Sequence, residues 1–223
     1  MQYDHLTPSE AIEIQQSLRN KIVIQHLNKE IKLIGGADIS FNIYSEIVYA
    51  GIIILSYPDL KEITSATVVA KTTFPYIPGL LAFREVPALV EAWNKLSIKP
   101  DVLMLDGHGI AHPRRLGIAT HFGILQNVPT IGCGKSRLTG TFQEPDMAVF
   151  SQSELYHKQE KIGYVLRSKK NCNPLFVSPG QLVSFEQSLE LVKGCLKGYR
   201  LPETTRKAHL LVNKVRIEHT LTI

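Results

Sequence analysis

Two aspartates interrupt apolar segments of this chain where a strand would otherwise run on unbroken. Asp38 sits in Gly35-Gly-Ala-Asp-Ile-Ser-Phe41, and Asp106 ends the run Val102-Leu-Met-Leu105. A lone carboxylate is costly to bury unless it is paired or bound to a cation. Two such acids meeting at neighbouring strand ends form a site of hard oxygen ligands, suited to magnesium or manganese before zinc. Taken singly, each aspartate reads equally well as a turn cap beside glycine. Three further groups can join them. Glu85 lies on a helix that can turn it back toward the sheet, Lys135 follows a short strand, and His209 lies beside the apolar stripe of Ala208, Leu211, Val212 and Val215. An ammonium near the acids can neutralise a transition-state phosphate or orient a water, and a surface lysine is the plainer alternative.

The segment Thr73-Phe-Pro-Tyr-Ile-Pro-Gly-Leu-Leu-Ala-Phe-Arg-Glu85 joins a stiff hook to one of these carboxylates. Pro75 and Pro78 fix their own φ and bias Phe74 and Ile77 toward extended geometry, so Tyr76 rides on a rigid arm. A rigid aromatic can act as a wedge, or as a stacking surface for a flat ligand such as a nucleobase. A proline-rich turn with a buried tyrosine is the alternative.

Directly after Asp106, Gly107-His-Gly-Ile-Ala-His-Pro-Arg-Arg-Leu-Gly117 lets backbone groups approach a ligand closely. His108 and His112 have the spacing of a helical metal pair, but Gly109 and Pro113 argue against helix and no glutamate completes a zinc-protease pattern. Arg114 and Arg115 are expected to contact phosphates or to be solvated surface charge. His121 reads as a packing histidine. Gly134-Lys-Ser136 follows a strand, yet Pro129 stands where a phosphate loop needs its first glycine, which excludes that loop. Phe176-Val-Ser-Pro-Gly180 is expected to be a turn offering backbone amides.

The elements that must position these groups follow from periodicity. Thr7-Pro8-Ser9-Glu10 is a capping box with proline at the first helical position, and Ala11, Ile14, Leu18 and Ile22 extend a predicted helix over 8–27. Runs rich in Ile, Val and Thr over 33–41, 47–57 and 62–73 predict an antiparallel meander. A helix over 81–96 then leads to a strand over 102–105, and this crossover places the fourth strand parallel to the first. A helix over 117–125 and a strand over 130–133 complete a predicted five-stranded sheet. Strands over 163–167 and 175–177 and helices over 185–196 and 203–216 are expected beyond it.

The fold class is therefore mixed α/β, with 223 residues and no repeat or linker pointing to a single domain over 1–223. A formal charge of +5 and a pI near 9.0 fit a polyanionic partner. Three scattered cysteines, Cys133, Cys172 and Cys195, argue against a disulfide framework or a zinc knuckle and suit a reducing compartment. No leader and no membrane span is apparent, so a soluble cytoplasmic protein is expected.

Taken together and in order, Gly-Ala-Asp38-Ile-Ser-Phe, the hook through Glu85, Asp106-Gly-His-Gly-Ile-Ala-His-Pro-Arg, Lys135-Ser-Arg-Leu, Phe176-Val-Ser-Pro-Gly and Thr205-Arg-Lys-Ala-His209 resemble the endonuclease V family. The resemblance implies a ribonuclease H-like fold and magnesium-dependent nicking, with manganese as a substitute, at the second phosphodiester bond 3′ to hypoxanthine. It implies that Asp38 and Asp106 bind the metal directly, while Glu85 and His209 hold its waters and Lys135 is the family's lysine. Tyr76 would be the wedge, with Leu81, Gly107, His112 and Leu138 at the base pocket. The implied partner is deoxyinosine-containing DNA, with inosine-containing RNA as the alternative substrate, and a monomer with no membrane partner is expected. A nucleic-acid-binding module without catalysis is the remaining alternative, and the complete set of acids, lysine and histidine speaks against it.

Overall fold

The computed structural model describes residue 3, residues 5–42 and residues 45–221. Among them one sheet of eight strands runs in the order β3-β2-β1-β4-β5-β8-β7-β6. The meander β1 (Leu33–Phe41), β2 (Ile47–Ser56) and β3 (Glu62–Lys71) is antiparallel. Strands β4 (Val102–Leu105) and β5 (Thr130–Gly134) extend it in parallel from β1. These are the five strands expected. The sheet does not stop there: β8 (Leu175–Gln181) pairs antiparallel with β5, and β7 (Glu160–Leu166) and β6 (Gln152–His157) follow. The additional strands thus belong to the central sheet. Pairing by β8 covers the edge that β5 would otherwise expose.

Side chains alternate across the sheet as strand geometry requires. Ile52, Ile54, Leu103 and Leu105 pack with Leu89 and Trp93 of α2 (Leu81–Lys95) and Phe122 of α3 (Ile118–Gln126). Ile53, Leu55, Val102 and Met104 pack on the other face with Leu189 and Val192 of α4 (Phe185–Gly194) and Ala208 of α5 (Glu203–Leu221). No helix among the described residues is long and apolar enough to cross a membrane.

The first helix, α1 (Pro8–Arg19), opens with the capping box read from Thr7 and Glu10. It ends well short of residue 27, the limit predicted from Ile22. The β-branched run Ile22-Val23-Ile24 disfavours helix. Instead the chain is held extended: Val23 N–H donates to Gln181 Oε1 at 2.9 Å and Leu27 N–H to Gln187 Oε1 at 2.7 Å.

Two contacts set the geometry of the site. Helix α5 lies directly on β1, because a Cβ at Gly36 would fall 2.0 Å from the Thr204 carbonyl oxygen. Only glycine permits that approach, which brings the following turn of α5 to the carboxyl end of β1. The hook is fixed by a second contact. Phe74 and Leu80, which bracket it, are buried with Tyr3, Ala11 and Phe83. The Gly79 carbonyl, at a residue with φ of 80°, then receives Gln15 Nε2 at 3.0 Å and Arg114 Nη2 at 2.8 Å. His112 completes the clamp. Its Nδ1 accepts the Arg114 backbone N–H at 3.2 Å, so the ring proton sits on Nε2 and is donated to Gly79 O at 3.0 Å.

Substitution Gly36→Ala is expected to destabilise the fold by about 1–3 kcal/mol, the cost of overpacking, measured as a lowered urea midpoint. Burial, then the neighbouring Arg114 charge, pushes His112 down to about 4. The unfolded chain therefore takes up this proton first, near the ordinary value of about 6.5. Stability from the neutral clamp is complete above that pH and declines as pH falls toward 4. NMR of the His112 ring is expected to show the neutral form down to about pH 5, and titration near 6.5 would show that the clamp does not form.

Candidate active site

Pairing of Ala37 with Leu105 in the parallel β1–β4 ladder leaves Asp38 and Asp106 as the next residue on each strand. The Asp106 N–H donates to Ala37 O at 3.1 Å, which fixes that register. Asp106 thus directly follows β4, and Asp38 stands within β1 at the point where its pairing with β4 stops, on the carboxyl side of the parallel ladder, where open α/β sheets place their ligands. Asp38 is only 8% exposed. His209 Nδ1 lies 2.7 Å from Asp38 Oδ2, and its Nε2 faces Asn213 Nδ2 at 3.0 Å. Ser40 donates to Asn213 Oδ1 at 3.0 Å, which orients the amide with its N–H toward the imidazole. The ring proton therefore belongs on Nδ1, donated to Asp38.

One ligand atom each from Asp38, Asp106 and His209 lies within 4.8 Å of the others. Lys135 Nζ forms an ion pair with Asp106 Oδ2. Glu85, one helical face away on α2, shares a small cavity of about 50 Å³ with both aspartates. The three carboxyl groups are short of positive charge. Burial and then repulsion from Asp106 push Asp38 up to about 6, against the hydrogen bond from His209 and the charge of Lys135. Burial and the charge of Asp38 push Glu85 up to about 8. Carboxylate oxygens at this separation, with unmet charge, fit a hard divalent cation, while both His209 ring nitrogens are engaged by Asp38 and Asn213. The resemblance implies that His209 holds the metal's waters, and the fold brings its ring beside the aspartates.

A larger cavity of about 300 Å³ adjoins this cluster. Tyr76, Leu81, Gly107, His112 and Leu138 all line it, together with Glu85 and Asp106. The residues nominated for base binding are therefore one wall system, contiguous with the acids. Tyr76 is 59% exposed, its ring tilted against Phe41 at 6.1 Å. It is not the buried tyrosine of an ordinary turn. Buried Arg84 braces the arm from beneath, donating to Phe74 O at 2.9 Å and Ser45 O at 2.6 Å while its guanidinium lies 5.1 Å over Phe41.

Several expectations are corrected. Arg115 is 6% exposed and donates to Glu160 Oε2 and His112 O, and Arg114 is spent on Gly79 and Gln15, so these guanidinium groups are structural braces. An arginine in a glycine-rich loop reads as solvated until its distant partner is known. Phe176–Gly180 is not a turn but part of β8, where Ser178 Oγ accepts the Gly109 N–H at 2.9 Å and thereby holds the loop after Asp106. His121 is the buried packing residue expected, 2.7 Å from the Tyr3 hydroxyl. The supporting roles of Gln15, Arg84 and Asn213 escaped sequence reasoning. For Gln15 a signal existed, since it falls four residues after Ala11 within the apolar stripe of α1 and is fully buried.

Comparison with known proteins places this arrangement. The family model for endonuclease V matches residues 16–210. The crystal structure of endonuclease V from Streptomyces avermitilis is 33% identical, covers 96% of this chain and 95% of its own, and superposes with a TM-score of 0.90. That from Bacillus subtilis is 26% identical over 100% of this chain and 98% of its own, with a TM-score of 0.94. Endonuclease V from Ciona intestinalis, in complex with a 24mer DNA containing an inosine followed by a ribo-adenosine, is 29% identical over 94% of this chain and 98% of its own, with a TM-score of 0.80. The sheet, the acids where β1 and β4 part and the adjoining cavity belong to a ribonuclease H-like nuclease, and the chain is a member of the endonuclease V family.

Proposed function

We propose that this protein, as one domain and a monomer, is a magnesium-dependent repair endonuclease. Its substrate is DNA containing deoxyinosine, cut at the second phosphodiester bond 3′ to the lesion to leave a 3′-hydroxyl and a 5′-phosphate. The observation that carries this reading is the cluster of Asp38, Asp106 and His209, with donor atoms within 4.8 Å, opening onto the cavity beside Tyr76. Asp38 and Asp106 hold the ion and His209 and Glu85 complete its surroundings. A divalent cation bound there supplies charge neutralisation at nonbridging oxygens and a more acidic water. Lys135, anchored on Asp106, adds a fixed positive charge beside the scissile phosphate.

Reading a base within a duplex requires extruding it at a cost of about a few kcal/mol, least for a mispaired base. Tyr76 fills the gap in the stack, and its rigid anchorage limits the entropy lost on doing so. Leu81 and Leu138 supply apolar walls for the extruded ring, and Gly107 presents backbone to its edge. The base cavity and the small cavity of the acids adjoin through Glu85 and Asp106, which line both, while Asp38 lines only the second, which fits a cut displaced from the lesion. Inosine-containing RNA is a second substrate reading, favoured by the ribo-adenosine after the inosine in the Ciona intestinalis complex.

Inosine-containing DNA and RNA oligonucleotides, incubated with magnesium, with manganese and with chelator, test the assignment through the mapped cut. Asp38→Ala and Asp106→Ala are expected to abolish cleavage while binding persists, and near-normal turnover in both would overturn the metal assignment. Lys135→Ala is expected to lower kcat by about 100-fold or more at little change in KM. For Tyr76→Ala, preference for inosine over undamaged strands is expected to fall about tenfold, whereas equal loss on both would argue against a wedge.

A further inference from the structure

On the Lys135 side of the acids, a second exposed aromatic is held as rigidly as the first. Tyr199, 50% exposed, follows Gly198 in the loop between α4 and α5. One face of its ring is covered by the Arg206 guanidinium, 4.2 Å from the centroid. Arg206 is itself locked by a two-pronged pair with Glu203, at 2.7 and 2.8 Å, and Glu203 is buried. The carboxylate thus fixes the guanidinium and the guanidinium fixes the ring. An exposed tyrosine with nothing to do would sample several rotamers.

The position of this stack ties it to the site. Arg206 and His209 are three residues apart on α5 and so share a face within one turn. Arg200, next to Tyr199, donates to the carbonyl of Lys135 at 2.5 Å and of Asn173 at 2.8 Å. The Ser168 hydroxyl donates to Arg200 O at 2.6 Å, which brings the exposed pair Lys169 and Lys170 to the same loop cluster. Exposed Lys197 stands two residues before Tyr199. The surface therefore offers a fixed aromatic ring among four cationic side chains, Lys169, Lys170, Lys197 and Arg206, the last with its charge met by Glu203.

We infer that Tyr199 is a second stacking platform, which takes a base of the nucleic-acid strand on one flank of the scissile phosphate while Lys169, Lys170 and Lys197 track its backbone. Every base has a face to stack, so this contact holds the strand without reading its sequence. The inference rests on the proposed nuclease reading, and it adds a grip remote from the lesion pocket.

The test is fluorescence-anisotropy binding of single-stranded inosine oligonucleotides, shortened stepwise from the 5′ or the 3′ side, to the full-length protein. Chelator is present, so that no cleavage intervenes. Tyr199→Ala is expected to weaken binding of the long oligonucleotide about tenfold, Tyr199→Phe to bind like the parent, and the difference between them to vanish when one particular flank is removed. Joint replacement of Lys169 and Lys170 by Gln is expected to lower the salt dependence of binding by about two phosphate contacts. Equal affinity of the Ala variant and parent on every length overturns the platform, as does a loss that persists with both flanks removed or that the Phe variant shares. Failure of the nuclease reading is separable: inosine-independent binding without magnesium-dependent cutting, but with the same flank-limited effect of Tyr199→Ala, supports the platform alone.

Discussion

Parallel pairing of β1 with β4 forces two carboxylates to share one end of that ladder, in the middle of the sheet. The register is backbone-determined, since Ala37 opposes Leu105 and the Asp106 N–H closes on Ala37 O. Slippage by one residue would send Asp38 to the other face. Each other part of the site answers to this constraint. His209 reaches Asp38 because α5 can lie against Gly36, and Lys135 reaches Asp106 because β5 is the next parallel strand. The mutual repulsion that results would be dispersed by water at a surface. Here Asp38 is buried, so it is expressed as raised proton affinity at Asp38 and Glu85.

Much of this was legible in the residues, for identifiable reasons. A charge in an otherwise apolar strand is anomalous, which exposed Asp38 and Asp106 without any coordinates. Two prolines three residues apart announced the stiff arm of Tyr76, and the capping box before α1 announced that helix. Long-range pairing was not legible. Nothing local in 163–167 or 175–177 says that those strands join the same sheet beyond β5, because the partner of a strand lies outside its own sequence. The same holds for polar side chains whose meaning is tertiary. Arg115 looked like a phosphate ligand, yet its acceptor on Glu160 lies 45 residues away.

Rigidity of the hook comes less from its prolines than from the carbonyl that follows them. Three donors from α1 and from the loop after β4 converge on Gly79 O, so the arm is tied to the same loop that begins at Asp106. Displacement of Tyr76 relative to the acids would break charge-assisted and neutral hydrogen bonds together. Tyr76 and the acids thereby share one frame, which fixes their relative positions in advance of any ligand. The segment between them, Leu80–Glu85, leads into α2 and carries Leu81 to the wall of the larger cavity and Glu85 toward the aspartates.

Incomplete neutralisation is what separates this cluster from a structural ion-pair network. Each aspartate has its own protein partner, His209 for Asp38 and Lys135 for Asp106, so neither is orphaned and the fold tolerates them. Neither partner suffices. His209 is half-exposed and donates as a neutral imidazole, leaving one ammonium against three carboxyl groups. A second buried arginine would satisfy the charge and stabilise the chain, as Arg115 does for Glu160 at the base of the neighbouring loop. It would also remove the affinity for a dication, because a paired carboxylate has no unmet charge to offer. The chain places its buried arginines, Arg84, Arg115 and Arg167, on carbonyls and on rim carboxylates instead. Negative charge is thus concentrated in the small cavity where β1 and β4 part, and is dispersed by pairing at the buried arginine sites.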